Sequence, residues 1–170
     1  MERATPKGPK VRSKPRRGRA ADPEASRHGS PPGSKPGFEI VPHTSDVGLR
    51  ISGPTWKAFY KNAALGLLCV YGLEKTRRGP LAAEIHLRAD NPEDLLVDWL
   101  TELIYRVSAE LWLPARIRIL SADDRSLEAH VSGDGLQETK VKTEVKAATY
   151  HGLKVVRQGG LWTATLILDV

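Results

Sequence analysis

Apolar positions along the chain change their period several times, and each change marks an element. Phe38-Glu39-Ile40-Val41 and Val47-Gly48-Leu49-Arg50-Ile51 are short runs of strand type around the polar turn His43-Thr44-Ser45-Asp46. Gly53-Pro54 then turns the chain, and Thr55 is placed to cap a helix. Trp56, Phe59, Tyr60, Ala63, Leu67 and Val70 follow at spacings of three and four, widened by Ala64, Leu68 and Tyr71, with Gly72 as the stop. Aromatic residues on such a stripe anchor a core rather than form a cofactor box. After a basic loop over 75–80 the period drops to two, with Leu81, Ala83, Ile85, Leu87 and Ala89 on one face of a strand.

The second helix is the most strongly signalled element. Asp90 or Asn91 caps it, Pro92 takes its first position, and Glu93 and Asp94 favour the positive end of its dipole. Leu95, Leu96, Trp99, Leu100, Leu103, Ile104, Val107 and Leu111 form a broad apolar face. Its acids, Glu93, Asp94, Asp98 and Glu102, are a solvated face. Their like-charge spacing costs only tenths of a kcal/mol, roughly, and implies no metal.

Pro114 ends that segment. Strands over 117–120 and 127–131 flank the turn Asp123-Asp124-Arg125-Ser126 as a hairpin, 133–135 reads as a loop, and 137–142 as a polar connection. Residues 145–150 and 153–156 read as strands, or one strand bent at His151-Gly152, and Gly159-Gly160 turns into a last strand over 161–170. The order is ββαβαββββ. It predicts a single α+β domain with two helices packed against a mainly antiparallel β-sheet.

Composition changes this picture mainly at the N-terminus. The net charge of +6 and pI near 9.6 suggest a nucleic-acid binder until the charge is located. Residues 1–36 hold ten Lys/Arg against three Asp/Glu, whereas 37–170 hold 16 against 17, so the tail carries +7 and the body −1. The body is therefore not a phosphate-binding surface by charge. The tail contains seven of the twelve prolines and the cluster Lys14-Pro15-Arg16-Arg17-Gly18-Arg19, a composition that cannot offset the entropy of ordering. It reads as a disordered basic tail, suited to nuclear import or non-specific RNA contact, or to no dedicated role. The single cysteine, Cys69, lies in a helical apolar pattern and reads as a buried thiol in a reducing compartment. Without an apolar run of membrane-spanning length or a secretory signal, the expectation is a soluble intracellular protein.

Three polar stretches carry the candidate chemistry. The first is the turn with His43 and Asp46. The second is Lys142-Thr143-Glu144-Val145-Lys146-Ala147-Ala148-Thr149-Tyr150-His151, which alternates as a strand and sets Glu144 and Lys146 on one face. The third is Asp169-Val170, directly after the apolar Leu166-Ile167-Leu168. Asp46, Asp169 and the carboxylate of Val170 would together offer hard oxygen ligands, suited to Ca²⁺ or Mg²⁺ rather than Zn²⁺. A solvated Asp169 and chain end is the plain alternative. One Cys and five scattered His give no zinc spacing, and neither a phosphate loop nor a nucleophile elbow is present. His43 and Ser45 stand too close in sequence for a hydrolytic triad with an acid.

These stretches, taken in order, resemble the archease family. The family pattern is similar to H-T-A-D-V-G, a D-L-L-V-x-W-L-N-E-L helix, a K-T-E-V-K-A-x-T-Y-H strand and a closing I-L-D-I/V. Here they stand as His43-Thr44-Ser45-Asp46-Val47-Gly48, Asp94-Leu95-Leu96-Val97-Asp98-Trp99-Leu100-Thr101-Glu102-Leu103, residues 142–151, and Ile167-Leu168-Asp169-Val170. Ser45 for Ala and Thr101 for Asn are small departures, and the resemblance runs from Phe38 to the C-terminus. It implies a non-catalytic accessory protein of the RtcB-type RNA ligase complex that joins tRNA exon halves. Such a protein promotes ligase guanylylation and multiple turnover, touches tRNA only indirectly, and works in cytoplasm and nucleus. It further implies a divalent cation, Ca²⁺ before Mg²⁺, on Asp46, Asp169 and Val170. His43 and Lys146 match other polar positions of the family, while Glu144 either joins that patch or pairs with Lys142 or Lys146. The rival from another class is an RNA-binding module working through the basic tail and Lys75-Thr76-Arg77-Arg78.

Overall fold

The computed structural model describes residues 37–42, 46–72, 79–135 and 141–170. The basic tail, His43 with its two following residues, most of the 75–80 loop and the greater part of the 137–142 connection lie outside the described residues. Strands β1 (Gly37–Pro42) and β2 (Val47–Gly53) lead to helix α1 (Trp56–Val70), and β3 (Leu81–Arg88) to helix α2 (Pro92–Ser108). Strands β4 (Trp112–Ala122), β5 (Ser126–Gly135), β6 (Ala147–Thr149), β7 (Val156–Gln158) and β8 (Leu161–Asp169) complete the chain. Two helices and antiparallel strands make an α+β domain, as the pattern predicts.

The strands divide into two sheets rather than one. One is ordered β1-β2-β8-β6, with β7 also on β8, and the other β3-β5-β4; every pairing is antiparallel. Helix α1 contacts β1, β2 and β8 of the larger sheet and β4 of the smaller, while α2 contacts β6, β3 and β4. The helices thus lie between the sheets, and both of their faces are needed to close the core. This explains why each apolar stripe is wider than a single contact requires. Leu49, Ile51, Leu166 and Leu168 from the larger sheet, Phe59, Leu67, Leu95, Trp99 and Leu103 from the helices, and Leu127 and Val131 from the smaller sheet are fully buried. Trp99 donates its indole N–H to the Tyr60 carbonyl at 3.0 Å, which ties α2 to α1. At Gly66 of α1 an added Cβ would stand 2.5 Å from Leu49 Cδ1, so a larger residue there would require the Leu49 side chain to move.

Local chemistry sets the ends of the elements. Thr55 caps α1 by accepting from the Ala58 N–H at 3.2 Å, and Gly72 follows its last turn at φ +78. Asn91 caps α2 by accepting from the Asp94 N–H at 2.8 Å, ahead of Pro92. Among the acids of α2, Glu102 pairs with Arg106 at 2.6 Å, but Glu93 accepts the Val155 N–H at 2.8 Å and so fixes the approach to β7.

Several boundaries differ from the pattern. α2 ends at Ser108, and Leu111, expected on its apolar face, is 57% exposed with φ 51. Pro114 lies inside β4 and does not precede the strand. β4 is the outer strand of its sheet and shifts register between Pro114 and Arg116, so the missing N–H breaks no ladder. Gly133 and Gly135, expected in a loop, belong to β5. A Cβ on Gly133 would come within 1.8 Å of the Leu113 carbonyl oxygen, a close strand approach rather than a turn. Cys69, expected buried, is partly exposed.

Candidate functional site

The polar stretches meet at one end of the five-stranded sheet because of register. β2 and β8 pair Ile51 with Ala164, Leu49 with Leu166 and Val47 with Leu168. The paired register ends at Val47 and Leu168; continuing it by one antiparallel step would bring Asp46, a bend residue before β2, opposite Asp169, the last residue of β8. Leu166 and Leu168 face the helices at 0% exposure, so Ile167 and Asp169 belong to the other face of the sheet. Directly opposed residues of an antiparallel pair share a face, so the continued register would turn the two carboxylates to the same side. Both are partly buried, and Asp46 has further interactions of its own.

On the other side of β8, β6 pairs Ala147 with Asp169 and Ala148 with Leu168. The ladder continues one bond further, as the Lys146 N–H donates to the Asp169 carbonyl at 2.8 Å. The Lys146 ammonium then donates to the Val170 main-chain oxygen at 3.0 Å. Lys146, Asp169 and Val170 therefore meet at one end of the sheet, next to the bend that holds Asp46. Among the described residues this end carries the Asp46 and Asp169 carboxylates, the Val170 main-chain oxygen and the Lys146 ammonium.

Glu144 goes elsewhere. Residues 142–146 do not form the strand that their alternation predicts; β6 begins only at Ala147. The segment is held by α1 instead, where the Lys142 N–H donates to the Tyr71 carbonyl at 3.0 Å and Val145 is 1% exposed. Tyr71 Oη donates a long bond, 3.5 Å, to the Val145 carbonyl. Glu144, Tyr71 and Val145 line a cavity of about 300 Å³ together with Val107, Leu111 and Val141. Burial and then the Glu144 carboxylate push the Tyr71 phenol up to about 12. The pairing of Glu144 with Lys142 or Lys146 is thus replaced by a place beside Tyr71. His43 lies outside the described residues.

Tyr71 is the residue that sequence reasoning missed. It read as core, yet its carbonyl and hydroxyl both grip the segment that delivers Lys146. The available signal was Val145, a lone apolar residue in a polar run, which requires something apolar to cover it. The opposite end of the sheet is built differently, with Trp162 stacked on Trp56 at 3.9 Å and Arg157 over Trp162 at 5.4 Å.

Chemically, the Asp46–Asp169–Val170 end offers hard oxygen donors. That donor set fits a divalent ion of the Mg²⁺ or Ca²⁺ type, since softer metals prefer nitrogen or sulfur. Among the described residues no group of three or more His, Cys, Asp or Glu side chains is placed to hold a metal, so such an ion needs the Val170 main-chain oxygen as well. No helix of the described residues is long and apolar enough to cross a membrane.

Fold and site together define a small α+β module with charged groups at one end of its larger sheet. The profile of the Archease protein family (MTH1598/TM1083) matches residues 38–170. "Protein archease" of Methanosarcina barkeri (strain Fusaro / DSM 804) is 30% identical over 139 residues, 78% of this chain and 95% of that protein. The protein of the same name from Saccharolobus islandicus (strain L.S.2.15 / Lassen #1) is 31% identical over 137 residues, 78% and 98% of the two chains. Among solved structures, Methanobacterium thermoautotrophicum protein 1598 superposes with a TM-score of 0.62 at 28% identity, covering 79% of this chain and 99% of that one. The Thermotoga maritima archease, described as a possible chaperone, gives 0.58 at 26%, covering 78% and 96%. The chain belongs to the archease family.

Proposed function

We propose that the protein is a non-catalytic activator of an RtcB-type tRNA-splicing RNA ligase, promoting ligase guanylylation and repeated turnover. Family membership supports the class of this reading. The observation that supports its site is the β2–β8 register, which ends at Val47 and Leu168 next to Asp46 and Asp169, together with the Lys146 contact to Val170. In this reading Asp46, Asp169 and the Val170 main-chain oxygens hold a divalent cation. When bound, such an ion supplies concentrated positive charge that attracts phosphate oxygens. The chain's own part is to hold the oxygens fixed on paired strands, so that little reorganisation is needed when the partner docks. Lys146 adds a polar group for the same surface, His43 is assigned to it on the sequence pattern alone, and Glu144 sits apart beside Tyr71.

Two results support the site. Mg²⁺ or Ca²⁺ raises the melting temperature of the protein, because an ion that binds only the folded state stabilises it. An Asp169→Ala variant loses that shift while remaining folded by circular dichroism. No shift at saturating ion, or an undiminished one in Asp169→Ala, removes the site.

The basic tail carries a separate reading, favoured by its charge of +7 against −1 for the body and by a family match that begins only at residue 38. It adds salt-sensitive RNA contact to the activator role. Deleting residues 1–36 then abolishes RNA binding and leaves ligase stimulation intact.

A further inference from the structure

The Lys146 ammonium is bonded to one of the oxygens that the cation would need. We infer that Lys146 is the resident counter-charge of this site and competes with the ion for the Val170 oxygen. The inference rests on the cation reading above and concerns how occupancy of that site is set.

Three observations place the lysine there. Its N–H is locked to the Asp169 carbonyl at 2.8 Å, so its Cα is fixed beside β8. Val145, buried at 1%, and the Lys142–Tyr71 bond fix the segment before it. Its Nζ lies 3.0 Å from the Val170 oxygen. The backbone is therefore held on both sides while the side chain itself is exposed and free to swing. The ammonium on the Val170 oxygen supplies positive charge at this carboxylate-bearing sheet end when no ion is present. An arriving divalent ion offers more charge to the same oxygens and repels the ammonium, so the two do not share the Val170 oxygen.

A ligand that binds only the fraction of molecules with the oxygen uncovered has its affinity reduced by that fraction. An exposed, charge-assisted contact of this kind corresponds to roughly fivefold in such an equilibrium. Lysine is suited to this part because its flexible stem makes a single-point contact that is released without moving the backbone. Ion binding would then present the Lys146 charge to solvent beside the ion, which couples the state of the site to the surface a partner meets.

The test is titration calorimetry with Mg²⁺ and Ca²⁺ on the full chain. Lys146→Met binds the ion about fivefold more tightly than the parent. Lys146→Arg, which keeps a cation able to reach Val170, stays near the parent value. Lys142→Met makes the same change in net charge but removes a side chain that packs beside Gly72, and shifts affinity less than twofold. A second readout is NMR of the lysine side chains, in which the Lys146 ε-methylene resonances move to the position of solvated lysines at saturating Mg²⁺. Unchanged or weaker binding by Lys146→Met in a parent that binds ion overturns this inference and leaves the cation site standing. An equal gain in Lys142→Met also overturns it, because a general charge effect then suffices. Binding by neither the parent nor any variant removes the cation reading itself, and this inference with it.

Discussion

Val145→Ala tests whether α1, rather than a strand ladder, holds the approach to the site. Val145 is 1% exposed, the one apolar residue between Lys142 and Lys146, and packs beside Tyr71. The truncation removes two methyl groups, about 1.6 kcal/mol of transfer free energy at ~0.8 kcal/mol each. A residual void of about 50 Å³ would add roughly 1 kcal/mol if nothing collapsed. The existing cavity of about 300 Å³ on one side lowers this, because part of the Val145 surface already lacks close partners. The expected loss is about 2 kcal/mol. For a body of about 130 residues the entropy of unfolding is roughly 0.3 kcal/mol/K, so the melting temperature falls by about 7 °C. Urea unfolding of the parent, Val145→Ala and Glu144→Gln measures it, with the exposed Glu144 substitution staying within about 0.5 kcal/mol. A Val145→Ala loss below about 0.5 kcal/mol, or equal to that of Glu144→Gln, refutes the packing account of 141–146.

Gly133→Ala places a Cβ within 1.8 Å of a strand carbonyl on Leu113, backbone against backbone. It should destabilise by about 3 kcal/mol or more, where Gly135→Ala, with nothing in the way, should cost little. Urea midpoints of the two variants check this, and equal midpoints contradict it. Tyr71→Phe should flatten the loss of stability at alkaline pH. The unfolded phenol loses its proton near pH 10, while the folded Tyr71 keeps its own up to about 12. The folded state thus binds the extra proton across that window, and stability falls as pH rises through it. Tyr60, also pushed above its ordinary value by burial and then by nearby Asp123, keeps its share in both proteins. An equally steep decline in Tyr71→Phe would show that Tyr71 does not titrate late.

The elements were legible where a single period ran long enough. α2 declared itself through Asn91, Pro92 and eight apolar positions, and all but Leu111 are buried. Leu111 misled because spacing cannot show that the helix ends a turn earlier. The division into two sheets was not legible, since alternation reports which face of a strand is buried but not which strand lies beside it. For the same reason Gly133 read as a loop: a glycine that permits close backbone approach and one that permits a turn look alike in sequence. Lys142 to Lys146 alternates like a strand, yet Val145 is buried against Tyr71 of a helix and only Ala147 to Thr149 pairs. At the candidate site, the kinds of residue were readable and their meeting was not. Nothing local to Asp46 points to Asp169, and only the β2–β8 register, whose last pair is Val47 with Leu168, brings the two segments side by side. Glu144 shows the converse, two residues from Lys146 in sequence and turned to a different place.

The most direct measurement titrates the purified protein, far below stoichiometry, into an RtcB-type ligase reaction on tRNA halves, beside a folded Asp46→Ala variant. The account predicts many ligations per molecule of the parent protein and none above the unassisted rate for Asp46→Ala. An Asp46→Ala protein that folds normally and stimulates as the parent does would contradict it.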